Sequence, residues 1–200
     1  MRAVRMMRFT LASAIAAGWI LSGCGNEDNP VKPPNPPGSS SAYLIRSTPQ
    51  NVLTDLEIAY SHRDSTECQE LYDSSYVGMS VDLNDSPGTP PLYFTYSDEV
   101  GHVAALAHSP TISSVSLSFG SSASWSRLES SDPSHPEWAT IQIAGSSFRV
   151  EITEDASTFQ ASGSTEFLEF MFKPSTPEST SQTDTLWTIV KWKEVRAAGP

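Results

Sequence analysis

The chain has 200 residues, with 23 acidic against 12 basic side chains and a net charge of −11 at pH 7. No basic run occurs beyond Arg8, which excludes the electrostatic footprint of nucleic-acid binding and attraction to anionic lipid headgroups. High solubility is what such an acidic surface provides.

The N-terminus carries Arg2, Arg5 and Arg8, with no acid before Glu27, followed by an apolar stretch over residues 9–21 interrupted by Thr10, Ser13 and Gly18. A membrane-spanning helix needs about 20 apolar residues and a signal-peptide core about 7 to 15, so the length favours a signal peptide. The next residues, Leu21, Ser22, Gly23 and Cys24, resemble the lipobox of bacterial lipoproteins. Small residues there let extended chain enter a peptidase. The resemblance implies removal of residues 1–23 as a signal peptide. Cys24 would then begin the mature protein, bearing a diacylglyceryl thioether and an amide-linked acyl chain such as palmitate. Two or more chains anchor firmly, because each buried methylene contributes about 0.8 kcal/mol. The competing reading is an ordinary secretory peptide that ends at a cysteine. Gly25 offers no acidic retention signal, so the expected location is the cell envelope, at the outer membrane facing periplasm or exterior. Cleavage would leave nine basic residues against 23 acidic ones, a net of −14.

Residues 24–42 contain Asn29-Pro30, Pro33-Pro34, Pro36-Pro37 and a Gly/Ser run from Gly38. Proline favours extended polyproline II and Gly/Ser favours coil, so this segment reads as a disordered tether. At about 3.1 Å per residue it reaches roughly 50 Å.

Residues 43–196 suffice for one domain. Ser47-Thr48-Pro49-Gln50 reads as a helix start with Gln50 placed for a capping box, and Val52, Leu53, Leu56, Ala59 and Tyr60 recur at helical spacing to about His62. Asp64-Ser65-Thr66-Glu67 starts a shorter helix ending near Asp73. Residues 75–81 read as a strand, 84–91 as a loop, and Ser97-Asp98-Glu99 as the start of a third helix. From Ile112 the period becomes two, with Val115, Leu117 and Phe119 alternating with serines. Residues 138–143 and 147–153 flank Ala144-Gly145-Ser146 and read as a hairpin. Segments 164–172 and 184–195 supply two more strands. Helices followed by consecutive strands predict an α+β fold with a largely antiparallel sheet.

Cys68 is the one thiol left once Cys24 is lipidated, so no intramolecular disulfide is available and buried packing is expected. His62, His102, His108 and His135 are not spaced as metal ligands, and no nucleophile elbow, phosphate loop or dinucleotide fingerprint occurs. No metal or cofactor is expected.

The stretch Thr48-Pro49-Gln50-Asn51-Val52-Leu53, with Leu56, Ala59-Tyr60 and Arg63-Asp64, resembles the opening helices of the nuclear transport factor 2-like, or SnoaL-like, superfamily. Leu186-Trp187-Thr188-Ile189-Val190-Lys191-Trp192 resembles its closing strand. The resemblance implies a cone in which a curved, mostly antiparallel sheet wraps the helices. It also leaves a homodimer through the open sheet face as an expectation.

Fold does not select chemistry. Candidate catalytic residues are Glu166 and Glu169 with Tyr60, since carboxylate bases in such cones work beside phenols. The two acids fall on opposite strand faces, so at most one points inward. Glu151, Tyr72 and Tyr76 are further members of that pool. Trp187 and Trp192 are candidate stacking residues for a ligand. Three readings stand: a noncatalytic module binding a small apolar molecule or a partner, a pocket-carboxylate isomerase or dehydratase, and a structural domain whose cone is filled by Phe167, Met171 and tryptophans. The missing constellations favour the first.

Overall fold

The computed structural model describes residues 42–86, 89–162, 165–175 and 185–196; the expected signal peptide, Cys24 and the expected tether up to residue 41 lie outside them. The elements run α1 (Pro49–His62), α2 (Ser65–Leu71), β1 (Tyr72–Asp82), β2 (Leu92–Thr95), α3 (Tyr96–His108), β3 (Ile112–Ser118), β4 (Ser126–Leu128), β5 (Ala139–Ala144), β6 (Arg149–Glu154), β7 (Ser157–Ser162), β8 (Thr165–Ser175) and β9 (Leu186–Arg196). A six-stranded sheet has the order β2-β1-β9-β8-β5-β4, and a second sheet has the order β3-β6-β7. The fold is α+β, with three helices against a curved mixed sheet. Pairing is antiparallel except between β1 and β9. That parallel pair joins the two ends of the domain.

Local chemistry explains the helix ends. Thr48 Oγ1 accepts the N–H of Asn51 at 3.1 Å, with Pro49 in the first turn. The expected Gln50 capping box does not form around Ser47; the Asn51 amide instead donates to the Ile45 carbonyl at 2.7 Å. Thr95 caps α3 two residues earlier than expected, in a reciprocal box with Asp98, which satisfies two otherwise orphaned groups. Helix α1 stops where Arg63 turns left-handed at φ 55°. Its guanidinium then donates to the carbonyls of Leu106, Ala107, Ser109 and Ile112, closing the C-terminal end of α3 and fixing the start of β3.

The core sits between helices and sheet. Val52, Leu53, Leu56 and Ala59 of α1 pack with Leu168, Phe170 and Phe172 of β8, Ile189 of β9 and Ile141 of β5. Phe119, fully buried just after β3, is the hub of an aromatic cluster. Its ring lies 5.2 Å from Phe170, 6.1 Å from Phe148 and Trp192, and 6.5 Å from Trp125, within the range of favourable edge and stacked pairs. This cluster occupies the core, and Phe167 and Met171 are not part of it. Those two occupy the opposite face of β8, because alternation sends only Leu168, Phe170 and Phe172 inward.

The expected hairpin around Gly145 is not one. β5 pairs with β8 and β4, whereas β6 pairs with β3 and β7. A single 3-10 turn at Gly145–Ser147 carries the chain from one sheet to the other. Here a Cβ on Gly145 would collide with the carbonyl of Thr165, so this crossover depends on the missing side chain. Strands β2, β4 and β7 were also not anticipated: β2 and β4 are short, and β7 lies in a polar run without strong alternation.

The chain entering α1 is fastened to three elements. Tyr43 Oη donates to Asp64 Oδ2 at 3.0 Å, Leu44 N–H to Asp55 Oδ1 at 2.7 Å, and Trp187 N–H to the Arg46 carbonyl at 2.9 Å. Arg46 also reaches the Glu70 carbonyl. Asp55 is 0% exposed and its Oδ2 has no hydrogen-bond partner among the described residues. Burial pushes its carboxyl above the ordinary range, against the opposing pull of Leu44 N–H and the Arg46 charge.

Two outcomes follow. Gly145→Ala should lower unfolding free energy by about 3 kcal/mol in urea titration, as overpacking against fixed backbone does; a loss below about 0.5 kcal/mol would mean that the crossover relaxes freely. For Asp55 the folded state binds the proton more tightly than the unfolded state. This contribution is complete below the unfolded carboxyl pKa, about 4, and is lost as pH rises through the higher folded value. Asp55→Asn should therefore flatten the fall in stability above pH 4, measured as urea midpoints across pH; an unchanged slope would assign the dependence elsewhere.

Candidate functional site

The sequence-predicted acids do not meet in the cone. Glu166 is exposed at the start of β8. Glu169 is half-buried on the face away from the core, opposite Gln142 of β5 and Lys193 of β9. Tyr60 lies instead at the end of α1 beside a different acid, Glu99. Trp192 belongs to the aromatic core, 4.9 Å from Phe170. Trp187 packs against the same core at the entry fastening.

Glu99 gathers the phenols. Tyr60 Oη donates to Glu99 Oε1 at 3.0 Å and Tyr72 Oη donates to the same oxygen at 3.2 Å. The Tyr76 ring stands edge-on to Tyr72 with centroids 4.7 Å apart, and its hydroxyl lies over Gly78, where a Cβ would come within 2.8 Å of it. Burial, then the charge of Glu99, raises the Tyr60 and Tyr72 phenols well above their ordinary range, so both remain donors. Cys68 is buried nearby. Its thiol is pushed up to about 12 by burial first and then by Asp64, Glu99 and Glu67, which makes it a packing group and not a nucleophile.

Glu99 sits in the first turn of α3, following the Thr95 and Asp98 box. The helix dipole favours a negative charge there. A half-buried carboxylate with two phenols on one oxygen is oriented, and its other oxygen has no hydrogen-bond partner among the described residues. Such a group is equipped to accept a proton or hold a cation. Sequence reading passed over Glu99 because its position after Ser97 and Asp98 is fully explained by helix capping; only the topology brings it to Tyr60 and Tyr72.

Two open depressions lie elsewhere. One, of about 640 Å³, is formed by residues within 127–139. The other, of about 480 Å³, lies on the outer face of the sheet, against Val77, Met79, Tyr93, Met171 and Lys191. Trp138 borders both, with His135 stacked on it at 4.1 Å and 4° and bonded to Glu137 at 3.2 Å. Neither depression reaches Tyr60, Tyr72 or Glu99. Among the described residues no group of three or more His, Cys, Asp or Glu side chains is arranged to hold a metal.

No protein-family model matches the chain, and no curated protein matches it. Among solved structures it is similar to a conserved protein from Planctomyces limnophilus, with TM-score 0.46, 11% identity, 74% of this chain and 92% of that chain covered. It is also similar to an NTF2-like protein from Cytophaga hutchinsonii, with TM-score 0.42, 11% identity and coverage of 74% and 94%. An NTF2-like protein with a cystatin-like fold from Novosphingobium aromaticivorans gives TM-score 0.40, 13% identity and coverage of 74% and 79%.

The Glu99 cluster predicts a graded stability response. Glu99→Ala leaves two buried phenols without their acceptor and should cost about 2 to 4 kcal/mol, whereas Glu99→Gln keeps an acceptor and should cost about 1 kcal/mol. Equal losses in urea unfolding would contradict the acceptor role.

Proposed function

We propose that the protein is an envelope-anchored, noncatalytic binding module of nuclear transport factor 2-like type, held to the membrane through a lipidated Cys24. Its binding surface is the outer face of the sheet around Trp138. The observation that carries this reading is the distribution of space: the interior is packed by Phe119, Phe148, Phe170 and Trp192, while both depressions are outside and share Trp138. A tryptophan in an open depression offers a large contact area at little entropic cost, as anchors at binding surfaces do.

A second reading, a carboxylate-dependent isomerase or dehydratase, draws support from the Tyr60–Glu99 hydrogen bond. It requires a substrate to reach Glu99 within about 3 Å, through packing that would have to open.

The two readings separate in native mass spectrometry of the full chain purified from its host's envelope. A noncovalently bound mass is expected on the wild type and on Glu99→Gln, and its loss is expected on Trp138→Ala. Loss on Glu99→Gln with retention on Trp138→Ala would favour the enzyme. Cys24→Ser should abolish labelled-palmitate incorporation and shift the chain to the soluble fraction; continued membrane association without label would sink the anchor.

A further inference from the structure

The chain has four lysines, and Lys32 precedes the described residues. The other three, Lys173, Lys191 and Lys193, fall on β8 and β9. Their registers against Thr188, Met171 and Glu169 put all three on the outer face, opposite Phe170, Phe172 and Trp192. In a protein of net charge −11, this face concentrates nearly all of its ammonium groups.

Two of the three are already engaged. Lys173 Nζ is 3.0 Å from Asp73 Oδ2, and Lys193 Nζ lies 5.6 Å from the Phe167 ring centroid with Glu169 as its cross-strand neighbour. Lys191 differs. It lines the 480 Å³ depression and has neither an ion pair nor a hydrogen bond among the described residues. Its surroundings there are largely apolar: Val77, Met79, Tyr93, Met171 and Trp138. Val77 and Tyr93 are 42% and 63% exposed. One acid, Asp132, also lines the depression; its Oδ1 accepts the N–H of Ser134 at 2.9 Å, and it makes no ion pair with Lys191 among the described residues.

We infer that this depression binds an amphipathic anion, a molecule with an apolar body and one carboxylate that pairs with Lys191. The inference rests on the outer face being the binding surface. A neutral apolar occupant would strip water from Lys191 without replacing its counter-charge, and a partly desolvated unpaired cation is costly. A small hydrophilic anion would leave Val77, Met79 and Trp138 wet. An amphipathic anion satisfies both parts of the wall, and the volume suits such a molecule. The acidity of the remaining surface does not prevent this, because at physiological ionic strength charges beyond about 8 Å are screened.

The test uses the full lipidated chain in phosphatidylcholine nanodiscs, with 4-phenylbutyrate and its uncharged counterpart 4-phenylbutan-1-ol as water-soluble probes, followed by calorimetry and by Trp fluorescence against empty nanodiscs. Saturable binding of the carboxylate is expected, with the alcohol about tenfold weaker. Lys191→Glu should weaken the carboxylate by at least about tenfold and leave the alcohol unchanged, and Lys193→Glu should change either by less than about twofold. Absence of saturable carboxylate binding, equal affinity for both probes, or indifference to Lys191→Glu would overturn the inference. So would a dimer, seen by native mass spectrometry, that excludes the probe. Failure here with the Trp138-dependent mass retained rejects the anion and keeps the binding face; failure of both rejects the face itself.

Discussion

The close approach of Gly145 to the Thr165 carbonyl is the constraint from which the rest of the domain follows. Because one backbone can lie directly on another there, the chain leaves β5 in the six-stranded sheet and enters β6 in the three-stranded sheet within a single turn. Phe148 is delivered by that step onto Phe119 and Trp192, at 6.1 and 6.4 Å. The second sheet then brings β3 against α1, where Glu57 Oε1 accepts the N–H of Phe119 at 2.5 Å. The aromatic core is thus a consequence of topology as much as of hydrophobicity.

The polar network follows a complementary logic. Arg63 and Glu99 stand at helix ends and Glu57 reaches from the middle of α1 to the residue after β3, each meeting backbone groups or buried phenols that would otherwise be orphaned. Each charged side chain is committed to a neighbour that the core has already fixed. Lys191 is different in kind, since nothing around it requires a cation for packing. The candidate recognition charge lies on the outer face of the sheet, beside Lys173, which Asp73 already pairs.

The helices and long strands were legible in the sequence because they have local causes. Thr48-Pro49 and Asp64 mark helix starts, and Val115-Leu117-Phe119 alternates, whatever lies across the fold. The Gly145 crossover was not legible, since a short Gly/Ser turn between two alternating segments is also how a hairpin reads; only pairing partners distinguish the two. The β1/β9 parallel pair is invisible for the same reason, as its strands are separated by most of the domain. The choice of Glu166 and Glu169 followed from strand position, but which face of β8 is covered by the core is set by its partners; Glu169 then alternates outward between Leu168 and Phe170, and Glu166 is exposed at the register shift between Thr165 and Phe167. Trp138 reads in the sequence as the first residue of the strand over 138–143, whereas the structure starts β5 at Ala139 and leaves Trp138 at the end of the preceding polar loop.

The fastening of residues 43–46 has a mechanical meaning. A pull arriving from the N-terminal side meets Asp64 through Tyr43, Asp55 through Leu44, and Trp187 and Glu70 through Arg46 before it reaches the first turn of α1. The load is distributed over two helices and the central β9 strand, so several bonds must yield together where a single cap would peel. The entry to the domain is built as a grip, able to carry tension from the preceding chain into the middle of the sheet.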